Sequence, residues 1–345
     1  MNANVDNDRA IASWLLVCAV LIFSMVILGG VTRLTGSGLS MVNWHPIHGV
    51  IPPLTEFAWQ EEFSNYQQSP EFTKINRDMT VDGFKQIFLF EYSHRILGRI
   101  IGLVFFIPFL YFYFTRKIKP GLTPQLLFMF FLGGLQGLLG WYMVKSGLVD
   151  NPHVSQYRLT AHLIAAILIY AYILWTAMGL LNRAPRVAKS ESSNPGFRKA
   201  IHYLILMVVV TIVSGGFVAG LKAGHIFNTF PLMNGQWIPE GLISLKPHYL
   251  NLFENMVTVQ FNHRYLALST GALLLIYWLF SKFHNFDSCT NRSFNLVAFL
   301  VLVQVTLGIS TLLLQVPVWL GASHQAGALL LFTAVLYNMH GLSRQ

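Results

Sequence analysis

Charge is what this sequence has least of. Asp, Glu, Lys and Arg make up 11% of its 345 residues, where soluble domains carry about 25%, which excludes a water-facing globular domain of this size. Acidic side chains are the scarcer sign, 14 against 23 Lys and Arg. The resulting +9 does not imply nucleic acid, because the basic residues gather in short segments between apolar runs, as the positive-inside pattern requires. Cysteine is nearly absent. Cys18 sits in the first apolar run and Cys289 in a short basic segment, so a structural disulfide between them is not expected. No C-x-x-C or C-x-x-C-H occurs, which excludes thioether attachment of a cofactor. What fills the chain instead is apolar: 54% hydrophobic residues with 27 Phe and a mean hydropathy of +0.52.

Such a composition predicts an all-α polytopic membrane protein, helix packed on helix within lipid. Eight spans are expected, at 12–32, 92–115, 124–145, 158–181, 200–221, 259–281, 293–315 and 319–341. The first is too long for the apolar stretch of a signal peptide and no A-x-A site follows it, so it reads as a retained span. The basic segments 116–123, 182–199 and 282–292 mark one side, taken as cytoplasmic together with Arg9 and Arg344. Segments 33–91, 146–157 and 222–258 then face outward and both termini are cytoplasmic. Within 33–91, LTEFAWQEEFSNYQQ predicts a short amphipathic helix lying on the outer surface.

The chain also repeats itself. LGGVTRLTGSG (28–38) resembles SGGFVAGLKAG (214–224), EYSHRILG (91–98) resembles QFNHRYLA (260–267), and LQGLLG (135–140) resembles VQVTLG (303–308). An even number of spans per unit gives both units one orientation, hence two four-helix bundles related by a pseudo-two-fold axis along the membrane normal. The halves are placed at 1–185 and 186–345, joined by the hydrophilic linker near 183–198.

Four histidines lie near the outer ends of the even-numbered spans. His94, His162, His263 and His324 precede Arg116, Arg183, Lys282 and Arg344 by 22, 21, 19 and 20 residues, roughly 28–33 Å of helix and one bilayer core. A lone histidine in a span reads as a hydrogen-bonded packing residue, whereas four at matched depth, two per repeat, read as axial ligands of two bis-His haems. Zinc prefers four close ligands, often including Cys or carboxylate, and the repeat separates these into pairs. Arg95 and Arg264 each follow a histidine and are candidates for contacts with haem propionates, or are interface arginines that snorkel. Arg99 and Lys222 are weaker candidates for the same role. Glu91 precedes His94 by three positions on one helix face, where the second half has Gln260. A carboxylate among Phe88, Phe90 and Tyr92 suits proton transfer, or is an interfacial group paired with Arg95. The pairs Gly29–Gly30, Gly133–Gly134 and Gly215–Gly216 permit close approach. His45 and His48 read as loop residues.

Taken together and in order, VTRLTGSGLSMVNWHPIHGVIPPL (31–54), FEYSHRILGRIIGL (90–103), TAHL (160–163), NTFPLMNG (228–235), FNHRYLA (261–267) and ASHQAGALLL (322–331) resemble the haem A synthase family, in its mitochondrial and alphaproteobacterial branch. The resemblance spans nearly the whole chain. It implies an oxidoreductase that converts a methyl group of haem O to the formyl group of haem A through an alcohol. It further implies that His94 and His162 flank the substrate porphyrin, that His263 and His324 hold a resident haem b, and that Glu91 is catalytic. Implied partners are haem O and haem A, the lipid bilayer, the haem O synthase and an electron acceptor, with an oligomer permitted; the implied location is a bacterial inner membrane in preference to a mitochondrial one. Some relatives carry a cysteine pair in the outer segment after the first span, and this chain has none there. A diheme electron-transfer cytochrome and a haem transporter or chaperone share the four histidines and stay open as alternatives.

Overall fold

The computed structural model describes residues 3–42, 50–148, 152–181 and 195–343. Among these, eleven α-helices and no strand are present: α1 (Ala3–Leu34), α2 (Glu56–Gln67), α3 (Pro70–Lys74), α4 (Val81–Phe114), α5 (Leu122–Gly147), α6 (Gln156–Leu181), α7 (Pro195–Leu221), α8 (Asn251–Glu254), α9 (Met256–Ser281), α10 (Ser288–Leu313) and α11 (Val318–Leu342). Eight of them are long and apolar enough to cross a membrane, and they coincide with the eight expected spans. The largest difference is at α4, which begins at Val81 rather than Tyr92. In residues 81–90 Asp82, Lys85 and Gln86 interrupt the apolar side chains and hide the segment from a hydropathy reading, yet it continues the same helix, capped by the Thr80 side chain accepting from Gly83 N. His45, His48, Arg344 and the linker at 182–194 lie outside the described residues.

The chain divides into two compact units, residues 1–7 with 13–170 and residues 8–12 with 171–345. In the first, α1 meets α4 through a proline. Pro108 lies inside α4 and has no N–H to offer the carbonyl four residues back. That carbonyl, Val104 O, accepts instead from Trp14 Nε1 of α1 at 2.8 Å, so the freed group is satisfied within the protein as lipid requires. Trp14 also packs at a tilt against Phe105 and Phe112, with ring centroids 5.1 and 5.6 Å apart.

The expected amphipathic helix is α2. Its Phe63 and Tyr66 pack with Phe84 and Phe88 of α4 and with Met41 in one buried cluster. Tyr66 stacks on Phe84 at 5.0 Å, and its hydroxyl accepts from Asn76 Nδ2 at 2.8 Å and donates to Glu71 Oε2 at 3.2 Å. Burial pushes the Tyr66 hydroxyl above the usual phenol range. This cluster holds the segment after α1 down on the first turns of α4, and Tyr92 adds a hydrogen bond to Val50 O at 2.6 Å.

In the second unit, α7 packs on α9 and α11, and α10 packs on α9 and α11, closing a four-helix ring. The segment between α7 and α9 is tied at several points. Asn228 Nδ2 donates to Leu312 O at 2.9 Å, Tyr265 donates to Trp237 O at 2.9 Å, and buried Asn255 caps α9 while its amide reaches Gly241 O at 2.7 Å. One backbone detail matches across the repeat. Gly36 and Lys222, related by the 186-residue offset of the first motif, both end their helices in the left-handed region, at φ 67° and 56°.

Candidate functional site

Each of the four histidines is partly buried and faces a glycine on the preceding span. A Cβ built on Gly29 would lie 3.1 Å from His94 Nε2, on Gly140 2.9 Å from His162 Cε1, on Gly215 3.1 Å from His263 Cε1, and on Gly308 2.9 Å from His324 Cε1. At 2.9 Å a side chain on Gly140 or Gly308 would force the imidazole to shift, and at 3.1 Å one on Gly29 or Gly215 would press it by a few tenths of an ångström. The glycines that do this are the letters shared by the repeat motifs. Gly133 and Gly134, singled out as an approach pair, have nothing within 4 Å, and Gly140 and Gly308 take that role instead.

Glutamine is the other shared letter. Gln136 Nε2 donates to His162 O at 2.9 Å, and Gln304 Nε2 donates to His324 O at 3.0 Å. Neither glutamine stands out by its own spacing, although the pairing LQGLLG with VQVTLG carries the signal.

The histidines come in pairs, one per unit. His263 and His324 face each other with ring centroids 6.4 Å apart and planes at 88°. Two metal–nitrogen bonds of about 2 Å and the half-widths of two imidazoles sum to about this distance. His94 and His162 both belong to the first unit. Among the described residues no three His, Cys, Asp or Glu side chains gather as a metal site. The donor set, the ring spacing and the glycine cradles fit an iron porphyrin held between two imidazoles.

Glu91 is 3% exposed and every oxygen of its carboxylate is occupied. Oε2 accepts from Ser40 Oγ at 2.8 Å and from Met41 N at 2.9 Å, and Oε1 accepts from Arg95 Nη2 at 2.5 Å. Arg95 reaches back to Met41 O at 3.1 Å. In the second unit Gln260 Nε2 donates to Phe227 O at 3.0 Å, and Arg264 donates to Phe227 O at 2.6 Å and to Thr229 O at 2.8 Å. Met41 and Phe227 are related by the first motif's offset, so one contact is made twice with opposite polarity. The carboxylate accepts from a backbone N–H in one unit, and the amide donates to a backbone carbonyl in the other. Ser40 has Ile226 as its counterpart, so the carboxylate and its hydroxyl partner are replaced together. Ser40 lies in an irregular segment with no periodicity to expose it in the sequence. Both arginines that were candidates for propionate contacts are anchored on backbone carbonyls here. Beside Arg95, a cleft of about 480 Å³ is lined by Met41, Phe88, Tyr92, Arg99 and Pro52 to Leu54.

Residues 12–336 match the family of cytochrome oxidase assembly proteins designated COX15-CtaA. The haem A synthase of Nitrosospira multiformis is 52% identical over 98% of this chain and 95% of its own. That of Parvibaculum lavamentivorans is 45% identical over 98% of this chain and 96% of its own. Human haem A synthase COX15 is 43% identical over 98% of this chain and 83% of its own.

Proposed function

The chain belongs to the COX15-CtaA family of cytochrome oxidase assembly proteins, and from that membership we propose that it is a haem A synthase, a multi-pass membrane oxidoreductase that takes the methyl group of haem O through an alcohol to the formyl group of haem A. The observation that carries this reading beyond the likeness to named relatives is the exchange of Glu91 for Gln260 at one repeated contact. Two otherwise similar histidine pairs then differ in a single ionisable group, so one pair sits beside a base and the other does not.

His94 and His162 flank the substrate porphyrin in this reading, and His263 and His324 hold haem b. When bound there, haem b supplies a one-electron relay toward an external acceptor. The protein's own contribution is proton handling and position. Converting a methyl C–H to C–OH with water as the oxygen source would release two protons and two electrons, the electrons leaving through the haem relay to the external acceptor, and Glu91 is the carboxylate one helical turn from His94 placed to take up a proton. Ser40 Oγ and Met41 N fix one of its oxygens and Arg95 balances its charge, so its direction is set before substrate arrives. Oε2 has two donors and Oε1 one, so Oε1 keeps an acceptor site for a proton. Arg95, with its second anchor on Met41 O, is the group able to exchange toward a propionate. The long apolar tail of haem O enters from lipid between spans. A bacterial inner membrane with both termini cytoplasmic, and the haem O synthase as the supplying partner, complete the reading.

Porphyrin extraction from purified protein tests it. Haem O or haem A is expected alongside haem b, whereas a diheme electron-transfer cytochrome yields haem b alone and a transporter yields no oxidised product. Glu91→Gln is expected to retain porphyrin and abolish haem A; normal haem A output from that variant removes the carboxylate from the mechanism.

A further inference from the structure

The two histidine pairs differ in what holds the imidazole Nδ1. In the second unit, the Ser214 hydroxyl donates its proton to Thr211 O at 2.7 Å. Its oxygen lies 2.8 Å from His263 Nδ1, so the imidazole is the donor. Nδ1 then carries the proton and Nε2 keeps its lone pair, the form in which histidine ligates a metal. Thr211 is itself fixed, donating to Met207 O at 2.8 Å and hydrogen-bonding Thr270 of α9 at 2.9 Å. The opposing ring has a different partner: Gln304 Nε2 donates to His324 Nδ1 at 3.1 Å.

The first unit lacks this support. Leu28 stands where the repeat places Ser214. His162 Nδ1 is buried with no hydrogen-bond partner, although Gln136 is at the position of Gln304. The rings are also turned differently. His263 presents Cε1 and Nδ1 to Gly215, at 3.1 and 3.6 Å, and His94 presents Nε2 and Cδ2 to Gly29, at 3.1 and 3.5 Å. Those two sets of atoms exchange on a half-turn about Cβ–Cγ. Where the serine is present, the ring sits with Nδ1 against it; where leucine replaces it, the ring has turned over.

We propose that Ser214 is the positioning residue that makes the second-unit haem a resident cofactor, by locking His263 in its ligating tautomer and orientation, and that Leu28 leaves His94 free to turn and release its porphyrin. The inference rests on the two-site reading above. It gives the four-histidine plan a division of labour. A cofactor must stay through many turnovers, a substrate must leave after one, and one hydroxyl distinguishes the two sites.

The test uses purified, haem-loaded protein with apomyoglobin as the haem scavenger, together with a redox titration. Ser214→Ala is expected to hand haem b from the second unit to apomyoglobin at least about tenfold faster than wild type, the usual loss for a group that orients a metal ligand. Its midpoint potential should rise, because the imidazole loses the hydrogen bond that makes it a stronger donor to ferric iron. Ser214→Thr, which keeps the hydroxyl, should restore both. Leu28→Ser should slow porphyrin release from the first unit. Wild-type release and potential in Ser214→Ala overturn the proposal if His263→Ala has lost that haem; if His263→Ala retains it, the two-site reading itself fails. Should Ser214→Ala not accumulate, Leu28→Ser decides, and unchanged or faster release from the first unit overturns the proposal.

Discussion

At the residue scale, the histidines depend on what is missing opposite them. Gly308→Ala places a methyl group where His324 Cε1 would lie 2.9 Å away, and helix backbones cannot separate to admit it without loosening the whole contact. The expected outcome is loss of the second-unit haem, read as roughly half the Soret absorbance per protein, with the first-unit porphyrin kept. Gly133→Ala, with nothing within 4 Å, should leave the spectrum and haem content as in wild type. The contrast separates the two kinds of glycine that the sequence alone did not. Composition showed glycine pairs in spans, but which glycine faces an imidazole depends on helix rotation, and only the motif comparison carried that information. The histidines were legible because burying imidazole in lipid is costly and their depth is regular. Ser40 and Ser214 were not. Serine in or near a span ordinarily bonds its own helix, as Ser214 does toward Thr211, and nothing in its spacing announces a second bond to a side chain elsewhere.

At the element scale, the eight spans followed from hydropathy because lipid leaves the backbone no alternative to the helix. The N-terminal extension of α4 did not, since Asp82, Lys85 and Gln86 break its apolar run while Phe84 and Phe88 pack under α2. The link between α7 and α9 was read only as an outward segment, whereas its form rests on two asparagines. Asn251 Oδ1 accepts from Leu245 N at 3.0 Å, and Asn255 Oδ1 accepts from Val257 N at 2.9 Å while its amide satisfies Gly241 O. Asn255→Ala removes a helix cap of about 1 kcal/mol and the amide's hydrogen bonds to Gly241 O and Asn251 Oδ1, each worth about 0.5–1.5 kcal/mol. A lower unfolding temperature in detergent is expected, with the haem spectrum unchanged below the transition. Asn255→Asp, which keeps the cap acceptor and loses the amide donor, should fall between the two.

At the scale of the whole molecule, the internal repeat predicts that the sites can be emptied independently, since each histidine pair lies within one unit. Replacing His94 and His162 by Ala should remove haem O and haem A from the extracted porphyrins and leave haem b; replacing His263 and His324 should remove haem b. Loss of both pigments from either double variant would show that the sites are not separable. The first unit carries the exchanging site in this account, yet its helices are not free to drift. Trp14 holds Val104 O, a carbonyl that is available only because Pro108 cannot use it, and Gly29 fits against the His94 ring further along the same helix. A rod pinned at one place swivels; pinned at two it keeps its register. An imino acid thus does the work of a rivet between α1 and α4, and Pro108→Ala, by returning Val104 O to its own helix, would unfasten a joint well away from the ring it keeps aligned.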